Sequence, residues 1–269
     1  MITYPFTYSR PKSLAEAVAA LAASPDAKLI AGGQTLIATM KQRLASPAML
    51  IDIARLGELR FIRREGEAIV VGAGSRHSDI ATSKDVTSTL PALAELAETI
   101  GDPAVRHMGT LGGSLANNDP AADYPAAVLA LAASITTTNR TIAADDFFQG
   151  MFTTALEEGE IIKHVAFPIP ERAAYAKFPN PASRYALVGV FVAKGPHGVR
   201  VAVTGAAPSV FRVPEMEAAL AKSFSADAVA GIAVPADALN SDIHASAEYR
   251  AHLVAVMARR AVKAALGRS

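Results

Sequence analysis

The chain has 269 residues, 51% of them apolar, and its 26 Lys and Arg nearly balance 25 Asp and Glu. This balance argues against a global field that would draw the protein to nucleic acid or to an anionic membrane. Because the sequence has no cysteine, it excludes disulfides, thiolate metal sites and a cysteine-ligated iron–sulfur cluster within this chain.

The amino terminus and the apolar runs predict where the protein works. Residues 1–13 lack a basic stretch followed by an apolar one, which argues against a secretory signal. The longest nearly uncharged apolar run, 126–135, is too short to cross a bilayer. We therefore expect a cytoplasmic protein with no transmembrane segment.

The first half of the chain mixes helical and strand patterns. Ser13, followed by Glu16 ahead of an alanine-rich apolar pattern, predicts a capped helix through Leu21. The other expected elements are a strand at 28–31, a helix at 35–44, strands at 49–53 and 67–72, helices at 78–81, 91–99 and 126–133, and a run rich in β-branched residues at 135–141.

The second half shows a different architecture. Four prolines between 168 and 181 form the densest such stretch, and we place a domain boundary within it. Strand patterns at 185–193 and 199–205 follow, joined by KGPHG, whose glycines and proline suit a tight antiparallel connection. Helical patterns at 213–222 and 247–266 come last.

Two Gly-Gly segments indicate a candidate anion site. AGGQT (31–35) and TLGGS (110–114) each place a glycine pair shortly before a hydroxyl residue. Backbone N–H groups in such loops can converge on an anion, and the missing β-carbons let phosphate oxygens approach. Either loop alone is also explained by a tight turn. The pair together favours a cradle for a pyrophosphate.

Other site patterns are incomplete. The P-loop pattern is absent, and the GAG segment at 72–74 lacks the third glycine of a dinucleotide fingerprint, so we interpret it as a strand end and a turn. The histidines lack metal-ligand spacing, and no serine lies in a G-x-S-x-G elbow. Asp119 and Asp123 have two open interpretations: each either caps the following helix or binds a ligand hydroxyl.

Several long segments resemble a known family. AGGQTLIATMKQRLASPAMLIDI (31–53), TIGDPAVRHMGTLGGSLANNDPAADYP (99–125) and HASAEYRAHLVAVMARRAV (244–262) are similar to the FAD-binding medium subunit of molybdenum hydroxylases, the family of carbon monoxide dehydrogenase and xanthine dehydrogenase. The likeness covers nearly the whole chain, with the segments in the family's order.

The resemblance implies an α+β fold. A two-subdomain FAD-binding domain of the vanillyl-alcohol-oxidase (PCMH) type would occupy residues 1–172, with subdomains of about 1–55 and 56–172. A small α+β carboxy-terminal domain of the carbon monoxide dehydrogenase flavoprotein type would occupy 173–269. No histidine or cysteine matches a covalent-flavin motif, so FAD would be held non-covalently.

The resemblance also implies a cofactor site. Both Gly-Gly loops would wrap the FAD pyrophosphate, and Asp123 would bond toward the ribose or adenine side. Lys177 would lie near the flavin, where a cation raises the reduction potential; the alternative is a solvated strand residue. The implied FAD-binding residues are Ala31, Gly32, Gly33, Gln34, Thr35, Leu36, Ile100, Thr110, Leu111, Gly112, Gly113, Ser114, Asp123, Ile162 and Lys177. No catalytic or metal-binding residue is implied in this chain.

The implied function is that of an oxidoreductase subunit in a dimer of heterotrimers. A large partner would carry the molybdenum cofactor and a small one two [2Fe–2S] clusters, and electrons would pass from these clusters through FAD to a terminal acceptor. Two other functions stay open. One is a self-contained flavin oxidoreductase of the same fold, and the other is an FAD-free assembly or binding subunit.

Overall fold

The structure is a computed structural model that describes residues 2–267. The strands are β1 (Thr7–Ser9), β2 (Ala27–Ile30), β3 (Met49–Asp52), β4 (Ile62–Glu65), β5 (Ala68–Gly72), β6 (Ser134–Thr137), β7 (Thr141–Ala143), β8 (Phe148–Gly150), β9 (Thr153–Thr154), β10 (Ile162–Pro168), β11 (Arg172–Pro179), β12 (Ala186–Gly195), β13 (Gly198–Thr204) and β14 (Phe211–Arg212). The α-helices are α1 (Leu14–Ala22), α2 (Leu36–Lys41), α3 (His77–Thr82), α4 (Lys84–Thr89), α5 (Pro91–Glu98), α6 (Pro103–Arg106), α7 (Leu111–Asn117), α8 (Tyr124–Ala130), α9 (Ala144–Phe147), α10 (Pro214–Lys222) and α11 (Ala247–Leu266). Short 3-10 helices lie at Gly57–Leu59 and Asp227–Val229.

The amino-terminal sheet is small and parallel, with strand order β1-β3-β2. Helix α1 precedes β2 and contributes Ala17 to a core shared with Ile51 and Leu59. The Ser13 hydroxyl accepts the amide of Glu16 at 3.2 Å, which confirms the predicted cap. Strand β2 ends at Ile30, so the first glycine pair begins its loop beside this sheet.

The second sheet has the order β4-β5-β10-β6-β7, and all its neighbours are antiparallel. Its apolar face joins helices α3, α5, α7 and α8 in the largest core of the protein. Strand β5 lies beside β10, and the chain leaves β5 at Gly72, Ala73 and Gly74. This strand end supports the second glycine loop.

The third sheet, β11-β12-β13-β14, is antiparallel. Strand β12 is buried over most of its length because its alternating side chains face two different cores. Val188, Val190 and Val192 pack with helices α10 and α11, whereas Phe191 and Ala193 join the core of the second sheet. The third sheet is therefore joined to the preceding part of the protein by packing.

The α+β class is confirmed, and most of the expected elements are present. The helix expected at 35–44 is too long: it ends at Lys41, and Arg43 has a φ of +61° that is incompatible with continuing the helix. The β-branched run at 135–141 includes most of β6 and the first residue of β7, with residues 138–140 between the two strands. Within residues 2–267, no helix is both long and apolar enough to cross a membrane. The domain limits remain predictions.

Seven strands within residues 2–267 were not predicted from the sequence: β1, β4, β8, β9, β10, β11 and β14. The two longest of them are β10 and β11. Strand β10 is central to the second sheet, and β11 begins the third. The prolines that mark the predicted boundary lie at strand ends or between the strands, because β10 ends at Pro168 and β11 at Pro179. Proline at a strand end removes no ladder hydrogen bond from the interior.

Candidate functional site

A cavity of about 600 Å³ lies where the two glycine loops meet, a volume typical of ligand sites. Residues of all three sheet regions contribute to it. Its lining includes 28–36, Ala73, Gly74, His77, Ile100, Gly101, Val105, Gly109, Thr110, 112–114, Ala116, Asn117, Asp119, Ala122, Asp123, 160–162 and 183–185. Of the fifteen predicted FAD-binding residues, all but Leu111 and Lys177 line this cavity.

The first glycine loop, residues 31–36, presents free backbone amides. Within residues 2–267, the N–H groups of the five residues from Gly32 to Leu36 have no backbone or side-chain acceptor. Gly33 has a φ of +69°, a left-handed conformation that favours glycine because other L-residues are strained there. Successive amides with one left-handed residue among them form the kind of concave turn that binds anions.

The second glycine loop, residues 110–114, is bonded to the protein instead. The amides of Leu111 and Gly112 donate to the carbonyls of Ser75 and Ala73, at 3.0 and 2.8 Å. The amide of Gly113 donates to the Thr110 hydroxyl at 3.2 Å, and that of Ser114 to the Thr110 carbonyl. The expectation that both loops present free amides is therefore wrong for residues 111–114. The chain after β5 accepts the amides of Leu111 and Gly112, and Thr110 accepts those of Gly113 and Ser114.

The missing β-carbons of the glycine pairs mostly face protein atoms. A β-carbon at Gly112 would lie 2.6 Å from the Cβ of Ala73, and one at Gly32 would overlap the carbonyl oxygen of Met108. A β-carbon at Gly33 would lie 2.6 Å from the Cδ1 of Ile37. Close packing, rather than an open phosphate path, therefore requires glycine at Gly32 and Gly112.

Gly113 differs from the other three glycines. Its β-carbon would meet only the Thr110 hydroxyl, at 2.9 Å, within a 4 Å radius. Gly113 is also exposed and lines the cavity. It is thus the position where a side chain would be most compatible with the surrounding protein.

The apolar predicted residues divide into lining and support. Ile100 and Ile162 line the cavity, whereas Leu111 is fully buried in the core of the second sheet. The turn at Ile100 and Gly101 is fixed by Arg106, whose guanidinium donates to both carbonyls at 3.1 and 2.9 Å.

Asp123 and Lys177 form a buried ion pair. Lys177 Nζ lies 3.0 Å from Asp123 Oδ1, and the two side chains are 5% and 4% exposed. Burial raises the pKa of Asp123, while Lys177 and the Tyr175 hydroxyl oppose that shift. Asp123 lines the cavity, whereas Lys177 lies behind it. The interpretation of Lys177 as a solvated strand residue is wrong.

The two open interpretations of Asp119 and Asp123 are also resolved in part. Asp123 precedes α8, but its side chain makes no capping hydrogen bond. Its carboxylate bonds to Tyr175 and Lys177 instead. The Asp119 carboxylate accepts the amide of Ala121 at 2.9 Å, which stabilises the local turn.

His77 lines the cavity although the sequence patterns did not predict it as a site residue. Its side chain is buried, with the residue 5% exposed. Burial, and to a lesser extent Arg106, lowers the pKa of His77 to about 4, so the ring is neutral at pH 7. Its backbone N–H donates to the Gly109 carbonyl at 3.0 Å, which ties α3 to the second loop. Its position just after a strand end was the signal available in the sequence.

No group of three or more His, Asp or Glu side chains in the described part of the chain, 2–267, is placed to hold a metal ion.

Two family models together match almost the whole chain. The FAD-binding domain in molybdopterin dehydrogenase matches residues 4–170. The carbon monoxide dehydrogenase flavoprotein carboxy-terminal domain matches residues 173–265.

Full-length relatives agree with these matches. The chain is 38% identical to the carbon monoxide dehydrogenase medium chain of Hydrogenophaga pseudoflava, covering 100% of this chain and 99% of the relative. It is 35% identical to the glyceraldehyde dehydrogenase medium chain of Sulfolobus acidocaldarius, covering 96% and 97%. Among solved structures, the reconstituted carbon monoxide dehydrogenase of Oligotropha carboxidovorans matches with a TM-score of 0.90 and 34% identity, covering 100% of both chains.

Proposed function

Since the chain belongs to the family of FAD-binding medium subunits of molybdenum hydroxylases, we propose that its cavity holds FAD with the pyrophosphate on the first glycine loop. The single observation that carries this proposal is the run of five unpartnered amides from Gly32 to Leu36 at the cavity wall. Buried backbone amides normally have a hydrogen-bond partner, and Gly32, Gly33 and Leu36 are half-buried. A pyrophosphate supplies acceptor oxygens of the right charge for them.

The other lining residues offer both apolar and polar contacts, as a nucleotide with aromatic rings and sugar hydroxyls requires. Ile100 and Ile162 offer apolar contacts, and the Ser114 side chain lines the same cavity. Asp123 offers an acceptor for a hydroxyl group. The second loop would hold the cofactor indirectly, because it packs against the first where Gly32 meets Met108 and Gly109.

Bound FAD supplies a redox group that can exchange electrons with both one-electron and two-electron partners. This chain's own residues bind and orient the cofactor, and none of them is proposed to transfer a proton to the substrate. Without cysteine, the chain cannot itself ligate a cluster through thiolates. The relatives are medium chains of multi-subunit dehydrogenases.

For this chain, we infer a heterotrimer with a large molybdenum-cofactor subunit and a small [2Fe–2S] subunit, which associates as a dimer. In it the flavin would accept electrons from the partner clusters and pass them to a terminal acceptor. Its cytoplasmic location and the domain limits at 172 and 173 are part of the same proposal.

The test is to isolate the tagged chain from its native host and to measure its absorption spectrum, metal content and partners. We expect a yellow complex that contains molybdenum and iron. A single yellow species without either metal, active on an organic donor, would favour the self-contained oxidoreductase. A colourless chain that takes up no added FAD would favour the FAD-free assembly subunit.

A further inference from the structure

A buried polar cluster joins the third sheet to the cavity wall. Lys177 Nζ lies 3.0 Å from Oδ1 and 3.1 Å from Oδ2 of Asp123. The same ammonium donates to the carbonyl of Thr99 at 3.1 Å. Because this ammonium already has these partners, Lys177 acts on the cavity through Asp123.

Tyr175 completes the cluster from the same strand. Its hydroxyl donates to Asp123 Oδ1 at 2.6 Å. Tyr175 and Lys177 are two residues apart on β11, so their side chains point to the same face of the sheet. On the neighbouring strand, a β-carbon at Gly189 would overlap the Tyr175 hydroxyl. Residue 189 must therefore be glycine for the Tyr175 side chain to occupy its place.

The Asp123 carboxylate keeps acceptor capacity for a ligand. An ionised carboxylate has about four lone-pair sites. Lys177 contacts both oxygens and Tyr175 one of them, so about one site is left for a ligand. Asp123 lines the cavity beside Ala122, while both donors approach it from the third sheet. The carboxylate is thus held from one side.

We propose that Tyr175 and Lys177 are positioning residues that fix the Asp123 carboxylate at the cavity wall, where it accepts a hydrogen bond from a hydroxyl group of the nucleotide. The ligand group is a sugar or sugar-alcohol hydroxyl, from either the ribityl chain or the ribose. This inference rests on the proposed FAD site and extends it, because the carboxy-terminal sheet then completes that site.

Stability alone is a weak explanation for the cluster. The cost of removing two charges from water offsets most of the attraction in a buried ion pair, so such pairs contribute little net stability. The specific consequence of the arrangement is an oriented acceptor. That consequence is measurable separately from folding.

The test is a double-mutant cycle in the complex isolated from its native host and stripped of flavin. Tyr175→Phe is measured in the wild-type and in the Asp123→Ala background, with FAD, FMN and ADP as ligands. We expect Tyr175→Phe to weaken FAD binding about tenfold in the wild-type background and to have no further effect in the Asp123→Ala background. A loss shared with FMN identifies the ribityl chain, and one shared with ADP identifies the ribose.

Control variants separate positioning from folding. Tyr249→Phe and Lys194→Met lie in the same domain, away from Asp123, and should leave FAD affinity unchanged. Melting temperature is recorded for every variant. Lys177→Met is a second positioning variant and should also weaken FAD binding. If it does not fold, the Tyr175→Phe cycle still decides, because that substitution removes a single hydroxyl.

The outcomes distinguish this inference from the proposed function. A wild-type complex that binds no FAD contradicts the proposed function itself. A wild-type complex that binds FAD while Tyr175→Phe binds equally well, or loses the same factor in the Asp123→Ala background, overturns only the positioning role. A loss seen with FAD but with neither fragment contradicts the hydroxyl assignment.

Discussion

The two Gly-Gly loops look alike in the sequence but differ in what their backbones do. In the first, five successive amides have no partner within the described residues 2–267. In the second, the amides of residues 111–114 all bond to protein acceptors. This difference underlies the proposal that the first loop binds the ligand and that the second holds the wall of the cavity in place.

This difference shows that a glycine pair has at least two uses. Gly33 is needed for its φ of +69°, which turns neighbouring amides toward one side. Gly112 is needed because the start of α7 packs directly on Ala73. The two requirements predict different responses to mutation.

The largest expected effect is a loss of unfolding free energy at acid pH, caused by His77. The backbone N–H of this residue donates to Gly109, directly before the second loop. The pKa of His77 is lowered to about 4 in the folded protein, below its unfolded value near 6.5. As pH falls from 6.5 to 4, the unfolded state therefore binds a proton that the folded state does not. We expect a loss of roughly 3 kcal/mol in unfolding free energy over this range.

Urea unfolding at several pH values measures this loss. His77→Gln should remove most of the slope, whereas replacement of the exposed His252 by Gln should leave it unchanged. An unchanged slope in His77→Gln would show that other groups cause it.

The next effect tests the packing of the second loop. Gly112→Ala places a β-carbon 2.6 Å from that of Ala73, and overpacking of this kind should lower the unfolding free energy by about 2 kcal/mol. Gly113→Ala is the matched control, because its β-carbon meets only the Thr110 hydroxyl. Equal stability of the two variants in urea unfolding would contradict the assigned packing.

A change in the first loop should weaken FAD binding as well as lower stability. Gly33→Ala forces an L-residue into a left-handed conformation, a strain of about 1–2 kcal/mol. Because Gly33 is half-buried and Gln34 and Thr35 are exposed, we expect the loop to relax away from the conformation that turns its amides to one side. FAD affinity, measured by titration of the flavin-free complex, should fall about tenfold.

Gly66→Ala is the control for backbone strain. Gly66 also has a positive φ, +57°, but nothing lies within 4 Å of its β-carbon, and it does not line the cavity. It should lose comparable stability and keep its FAD affinity. A similar loss of affinity in both variants would remove the special role of the first loop.

The smallest expected effect tests whether the amides of the second loop contribute to stability rather than to ligand binding. Thr110→Ala removes the acceptor of the Gly113 amide and should lower the unfolding free energy by about 1 kcal/mol, as for other helix caps. FAD affinity should stay nearly constant. Thr110→Ser keeps a hydroxyl and serves as control; a large affinity loss in Thr110→Ala alone would indicate that this loop binds the pyrophosphate directly.

The sequence predicted the location of the site better than its hydrogen bonding. Local patterns identified the glycine pairs, the Ser13 cap and helix α11, because turn chemistry and periodicity are local. They did not show that the carbonyls of Ala73 and Ser75 accept hydrogen bonds from the amides of Gly112 and Leu111. Those carbonyls follow the end of β5, which only the fold brings close to the second loop.

Long-range convergence explains the remaining omissions. Tyr175 and Lys177 contact Asp123 across more than fifty residues of sequence. Strand β11, which carries both, was not predicted because the prolines around it indicated a domain boundary instead. His77 follows a strand end and was read as part of a turn. In the fold its ring lies against that of Tyr124, with a centroid distance of 5.3 Å, a contact between residues 47 positions apart.

The most direct measurement is a crystal structure of the complex with FAD bound, examined at the pyrophosphate. The account predicts pyrophosphate oxygens within hydrogen-bond distance of amides between Gly32 and Leu36, with the amides of Leu111 and Gly112 still bonded to Ser75 and Ala73. A pyrophosphate bonded elsewhere, with the amides of the first loop still facing solvent, would contradict it.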